Sequence, residues 1–164
     1  MLSNAAKRKI LDMAIRNRIS GKEVWVQDDY RQDCQVVMPD KFMIAVFDFK
    51  DALLDSKRFL PINYSILDLV MDFTANENQL LKYDHYYPRY NYTDHNLYKF
   101  FDSEGNPVYM QKKLLDRICY DPEDEDRALY LGNKGFVYYF DVNRGELDAV
   151  LPPFRIKEAN DETD

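Results

Sequence analysis

Glycine is scarce in this 164-residue chain, with only five residues. Phosphate-cradling loops need clustered glycines, and none of the patterns G-x-x-x-x-G-K, G-x-G-x-x-G or G-x-S-x-G occurs. Cysteine is scarcer still. Cys34 and Cys119 lie far apart in apolar stretches, where a thiol serves as a small hydrophobe, so no disulfide scaffold is expected. Neither has an obvious base beside it, which argues against a thiol nucleophile. The two histidines, His85 and His95, each follow an aspartate. Adjacent side chains on an extended strand point to opposite sides, so Asp84 and Asp94 are poorly placed to orient them. Neither comes with the further ligands that a metal site needs. The acidic run Asp121–Asp126 lacks the glycine and ligand spacing of a calcium loop. No apolar run approaches the roughly 20 residues needed to cross a bilayer, and the first nine residues lack the core of a signal peptide. These absences point to a soluble, cytoplasmic binding protein rather than an enzyme, with no metal, no cofactor and no membrane partner.

What the chain has in quantity is aromatic surface and unevenly placed charge. Thirteen Tyr and ten Phe stand against one Trp. The net charge is −7, yet residues 1–82 carry twelve basic and twelve acidic groups. The excess acid lies beyond residue 83, in Asp121–Asp126 and in the tail from Glu158 to Asp164. Such a surface repels nucleic acid in general while leaving room for a local basic face.

The element pattern predicts an α+β fold: antiparallel sheet with two principal helices and a third, short one. Ser3 or Asn4 caps a first helix reaching about Arg18, with Ile10, Leu11, Ala14 and Ile15 as its apolar stripe. Strands are expected over 22–27, 34–38 and 42–49, with turns at Asp28-Asp29 and Pro39-Asp40. A short helical turn is expected over 51–57. Ser65 and Asp68 read as a capping box opening a helix that carries Ile66, Leu69, Val70 and Phe73. Residues 83–98 show no clear period. A hairpin then spans 97–109, a helix 110–119, and a meander of strands at 127–131, 136–141 and 146–156 ends the domain. The expected organisation is one domain over 1–157 and a disordered acidic tail over 158–164.

Two sets of residues stand out as binding candidates. Lys9 and Arg16 on the first helix, with Lys112, Lys113 and Arg117 on the later one, fall opposite the apolar stripes and suit phosphate contact. Between Tyr83 and Tyr92 five tyrosines accompany one arginine; Tyr86, Tyr87, Arg89 and Tyr90 are the candidates for contact with a protein. Core packing and partner contact both remain open for these rings.

The stretch Pro107-Val108-Tyr109-Met110-Gln111-Lys112-Lys113-Leu114-Leu115 runs from strand into helix, and Ala149-Val150-Leu151-Pro152-Pro153-Phe154-Arg155-Ile156 reads as a closing strand. Together these roughly 60 C-terminal residues resemble one domain of a sliding clamp, the processivity factor of replication. The resemblance implies a clamp-like accessory factor of DNA metabolism; the compact size, skewed charge and lack of motifs would suit a phage or mobile-element protein. It also implies a homo-oligomeric ring and duplex DNA against the basic helices, while the tyrosine segment, which has no obvious place in that fold, would contact a protein partner. The rival reading is an acidic nucleic-acid mimic that blocks a basic groove on a host protein.

Overall fold

The computed structural model describes residues 1–156, which form an α+β fold of three α-helices and ten strands. The expected disorder beyond Lys157 falls outside the described residues.

Helix α1 (Asn4–Ile19) begins where the sequence predicts, with the Ser3 hydroxyl accepting from the Ala6 N–H at 3.2 Å. Its buried stripe is Ala6, Lys7, Ile10 and Ala14, rotated from the expected one; Ile15 stays 43% exposed. Lys7 is tolerated inside because its ammonium meets Asp51 at 2.9 Å. Strands β1 (Trp25–Asp29) and β2 (Cys34–Met38) form a hairpin. Asp28 and Asp29 belong to β1, and the turn comes one step later, with Asp33 at φ 53°. Asp29 sets that turn by accepting from Arg31 N–H at 3.0 Å and from the Gln32 amide at 3.0 Å. β3 (Ile44–Asp48) starts two residues later than expected because the Asp40 carboxylate accepts from Phe42 N–H, holding residues 40–42 in a turn. The expected helical turn over 51–57 is split into two 3₁₀ turns, at 49–51 and 56–58.

Helix α2 (Tyr64–Met71) is capped by Asn63, whose carbonyl accepts from Ile66 N–H at 3.1 Å. Ser65 donates its hydroxyl to that same Asn63 oxygen and so sits inside the helix rather than capping it. The remaining strands are β4 (Gln79–Leu80), β5 (Lys82–Tyr87), β6 (Leu97–Phe101), β7 (Pro107–Gln111), β8 (Arg127–Leu131), β9 (Val137–Asp141) and β10 (Glu146–Leu151). Helix α3 (Lys112–Arg117) starts only after β7, because pairing with β6 extends to Gln111. Prolines 152 and 153 end β10 at Leu151, five residues short of expectation.

Seven strands form one antiparallel sheet in the order β1-β2-β3-β10-β9-β8-β4, and three form a second in the order β5-β6-β7. The larger sheet is apolar on both faces. One face packs Val26, Val37, Ala45, Phe47, Tyr139 and Ala149 against α1, α3 and the inner side of the small sheet. The other packs Val36, Ile44, Tyr138 and Val150 under Ile62, Leu67 and Val70 of the α2 region. Burying both faces removes more apolar area from water than a single helix layer would.

Candidate binding surface

The small sheet carries the tyrosine segment, and its two faces divide those tyrosines. Phe100, Val108 and Met110 point into the core. Tyr83 and Tyr86 share that side, both lying against Tyr98 at 5.9 and 5.0 Å between ring centroids. The outward side bears a run of rings in contact. His85 meets Tyr87 at 4.7 Å, Tyr87 meets Tyr90 at 5.7 Å, and Tyr90 meets Tyr109 at 5.6 Å. Lys99 lies 4.8 Å above the Phe101 ring. The run continues past the sheet, where His95 packs on Phe154 at 4.7 Å and Phe154 N–H donates to the Tyr109 carbonyl. Tilted and edge-to-face contacts of this kind hold rings rigid while leaving faces and hydroxyls free. Burial, with the Tyr90 phenol beside it, raises the Tyr109 pKa above the usual tyrosine range.

At the rim the chain turns through Arg89, Asn91 and Tyr92, all with φ between 48° and 61°. Three non-glycine residues in left-handed conformation within four positions store strain, at about 1 kcal/mol or more each. Tyr90 N–H to His95 carbonyl, at 2.7 Å, and Arg89 N–H to Asn96, at 2.9 Å, hold this loop. It presents Tyr92 with 99% of its surface in water. Below the loop, Tyr90, Pro107, Tyr109, Pro153, Phe154 and Arg155 line a groove of about 750 Å³. Of the protein-contact candidates, Tyr87 and Tyr90 thus belong to the outward array, Arg89 is exposed on the rim, and Tyr86 leans inward.

The basic candidates are brought close to one another but are partly spent. α1 lies beside α3, with Lys9 donating to the Asp116 carbonyl at 3.1 Å. Lys112 pairs with Asp116 at 2.7 Å, and that carboxylate raises the lysine pKa. Arg117 turns back from the helix surface and grips Asp40 with both terminal nitrogens, at 2.9 and 2.7 Å. Arg16 and Lys113 are exposed, and the Arg16 side chain donates to the carbonyl of Asp12 one turn earlier. The six residues from Asp121 to Asp126 are all exposed.

Titratable groups elsewhere are buried for structure. Asp141 and Asp148 receive the Met1 ammonium and Arg127, with Met1 at 3.0 Å and Arg127 at 3.6 Å from Asp148. Burial pushes Asp148 up to about 6 against the ammonium and Arg127, whereas in Asp141 those partners and the Arg144 N–H outweigh burial and lower it. Cys34 is buried, and burial with neighbouring aspartates pushes its thiol up to about 12. Both cysteines are free thiols. Among the described residues no group of three or more His, Cys, Asp and Glu could hold a metal ion, and no helix is long and apolar enough to cross a membrane.

Sequence reasoning missed Tyr109, Phe154, His95 and Phe101 as parts of the aromatic surface. The signal lay in β7, where alternation puts Tyr109 opposite the buried Val108 and Met110; the contribution of Phe154 required knowing that the chain returns after β10. Compared with family models, curated proteins and solved structures, the chain matches none.

Proposed function

We propose that this chain is a non-enzymatic binding protein that engages a protein partner through the outward face of its small sheet. The observation that carries the reading is the connected array His85–Tyr87–Tyr90–Tyr109, rimmed by a strained loop that holds Tyr92 in solvent. Preformed tyrosines with few free rotors give large contact area at low entropic cost, which is the chemistry of interface hot spots. Strain of the 89–92 kind persists where a loop is held in one shape for recognition. The test is affinity capture from native cells with the wild type and with the Y87A/Y90A/Y92A variant. A partner captured by the first and lost with the second supports the reading; equal capture, or none, overturns it.

A second reading keeps the clamp-like accessory factor. It is favoured by α1 and α3 lying side by side with Lys9, Arg16 and Lys113 exposed. Duplex DNA binding that weakens steeply with salt, and that K9E/K113E abolishes, is its signature.

A further inference from the structure

Sheet edges are where one chain recruits another, and among the described residues three of the four edges here are covered, bridged or very short. β1 is covered by Leu60, with Val26 N–H to Leu60 carbonyl at 2.9 Å and Leu60 N–H to Val24 carbonyl at 3.0 Å. β4 is only two residues long. β7 is bridged by Phe154, whose N–H reaches the Tyr109 carbonyl at 2.7 Å. β5 is different. It is six residues long, pairs only with β6, and among the described residues nothing bonds to the backbone of its outer edge. Lys82, Tyr83, Asp84 and His85 are all exposed, and among the described residues neither Asp84 nor His85 has a side-chain hydrogen-bond or ion-pair partner.

We infer that the outer edge of β5 pairs with the same edge of a second copy, joining two small sheets into one six-stranded sheet. The strand reads Lys-Tyr-Asp-His-Tyr-Tyr, and an isologous interface demands that it complement itself when reversed. It does so about a twofold axis between Asp84 and His85. In that register Asp84 faces the partner's His85, Tyr83 faces the partner's Tyr86, and Lys82 faces the partner's Tyr87. A carboxylate acceptor thus meets an imidazole donor twice, and aromatic rings meet at the flanks.

Residues opposite one another in an antiparallel pair must share a face. Tyr83 and Tyr86 do, since both lie against Tyr98, although three residues separate them. The register shift between Tyr83 and His85 makes this so, because Asp84 is the inserted residue and the strand's alternation restarts after it. An edge bulge ordinarily discourages pairing with a regular strand. A second copy carries the same irregularity at the same place, which selects this chain over other strands. The dimer does not rest on the hetero-partner reading, although His85 and Tyr87 enter both, and it would set two aromatic faces side by side.

Light scattering coupled to size exclusion tests it, at high micromolar concentration. The wild type should run at twice 19.6 kDa. H85D, which puts aspartate opposite aspartate twice, should weaken association by about tenfold or more, with unchanged circular dichroism. H85K sets a cationic donor opposite each Asp84 and should preserve the dimer. D84K/H85D again places a donor opposite a carboxylate, with the positions exchanged, and should restore it. A monomeric wild type overturns the proposal. So does an H85D protein that dimerises like the wild type, or a double variant that stays monomeric.

Discussion

Arg117 and Asp40 form a two-pronged ion pair across 77 positions of sequence, tying α3 to the turn between β2 and β3. Both side chains are mostly withdrawn from water, at 17% and 25% exposure. The arginine therefore acts as a strut, and its charge is already answered. Replacing either residue with alanine should cost about 1–2 kcal/mol of stability. In urea melts the double variant should lose less than the sum of the two single ones. K113E, on the exposed side of the same helix, should melt like the wild type.

Asp148 gives the protein a component of stability that favours acid. Its carboxyl holds a proton up to about pH 6 when folded, against 3.8 ordinarily. Between those values the native state binds more protons than the unfolded chain. The contribution is therefore full below about pH 4 and is lost as pH rises through 6. The melting temperature of the wild type minus that of D148N should accordingly increase on acidification from pH 7 to pH 4.5. The underlying free-energy change is at most about 3 kcal/mol. Comparing the two proteins cancels the opposite trend of the distant Asp29, whose lowered pKa removes stability as pH falls through the acid range; Asp141, which shares the Met1 ammonium and Arg127 with Asp148, contributes to the difference.

Gly132 is fixed by space rather than by backbone conformation. A methyl group there would run into the ring of Tyr138 and come within 3.1 Å of the Asn78 side chain. That ring cannot move aside, because it is buried and stacked on Phe73 at 4.8 Å. G132A should destabilise the protein by about 1–3 kcal/mol, read by thermal or chemical denaturation. Gly135 has open space around it, but its φ of 85° strains any replacement.

Within the aromatic array, stability and contact should separate. Tyr92 touches almost nothing in its own chain, so Y92A should change stability by no more than about 0.5 kcal/mol. Tyr109 is half-buried and packs on Tyr90, so Y109A should cost about 1–2 kcal/mol. Denaturation curves of the two variants check this. A costly Y92A would mean that the rim loop holds the fold rather than serving recognition.

Much of the fold was legible because local rules agreed with the global result. The Ser3 cap, the turn at Asp102–Asn106 and the alternation of β8 each point to what forms. Misreadings arose where a local signal had two readings, as with Asn63 and Ser65 competing to cap α2. β5 was illegible for a specific reason: the inserted Asp84 breaks the period of two, so residues 82–87 score as neither strand nor helix. The basic residues of α3 were visible as a pattern, but Asp40, which neutralises Arg117, sits in a distant turn that no periodicity links to it. Likewise the tyrosine cluster was visible in the sequence, which left core packing and partner contact open, and its division between two faces depended on that same inserted residue.

The pairing of β3 with β10 bears on how the protein is made. Ala45 lies opposite Ala149 and Ile44 opposite Val150, so the middle of the large sheet joins segments about 100 residues apart in sequence. Until residues 146–151 have left the ribosome, β1–β3 and β8–β9 are two half-sheets with bare inner edges. Each such edge, flanked by apolar faces, is a template for the wrong neighbour. Synthesis therefore leaves the chain open to aggregation until nearly its last strand has emerged. A stall before residue 146 should yield a product that holdase chaperones bind, and release past residue 151 should free it.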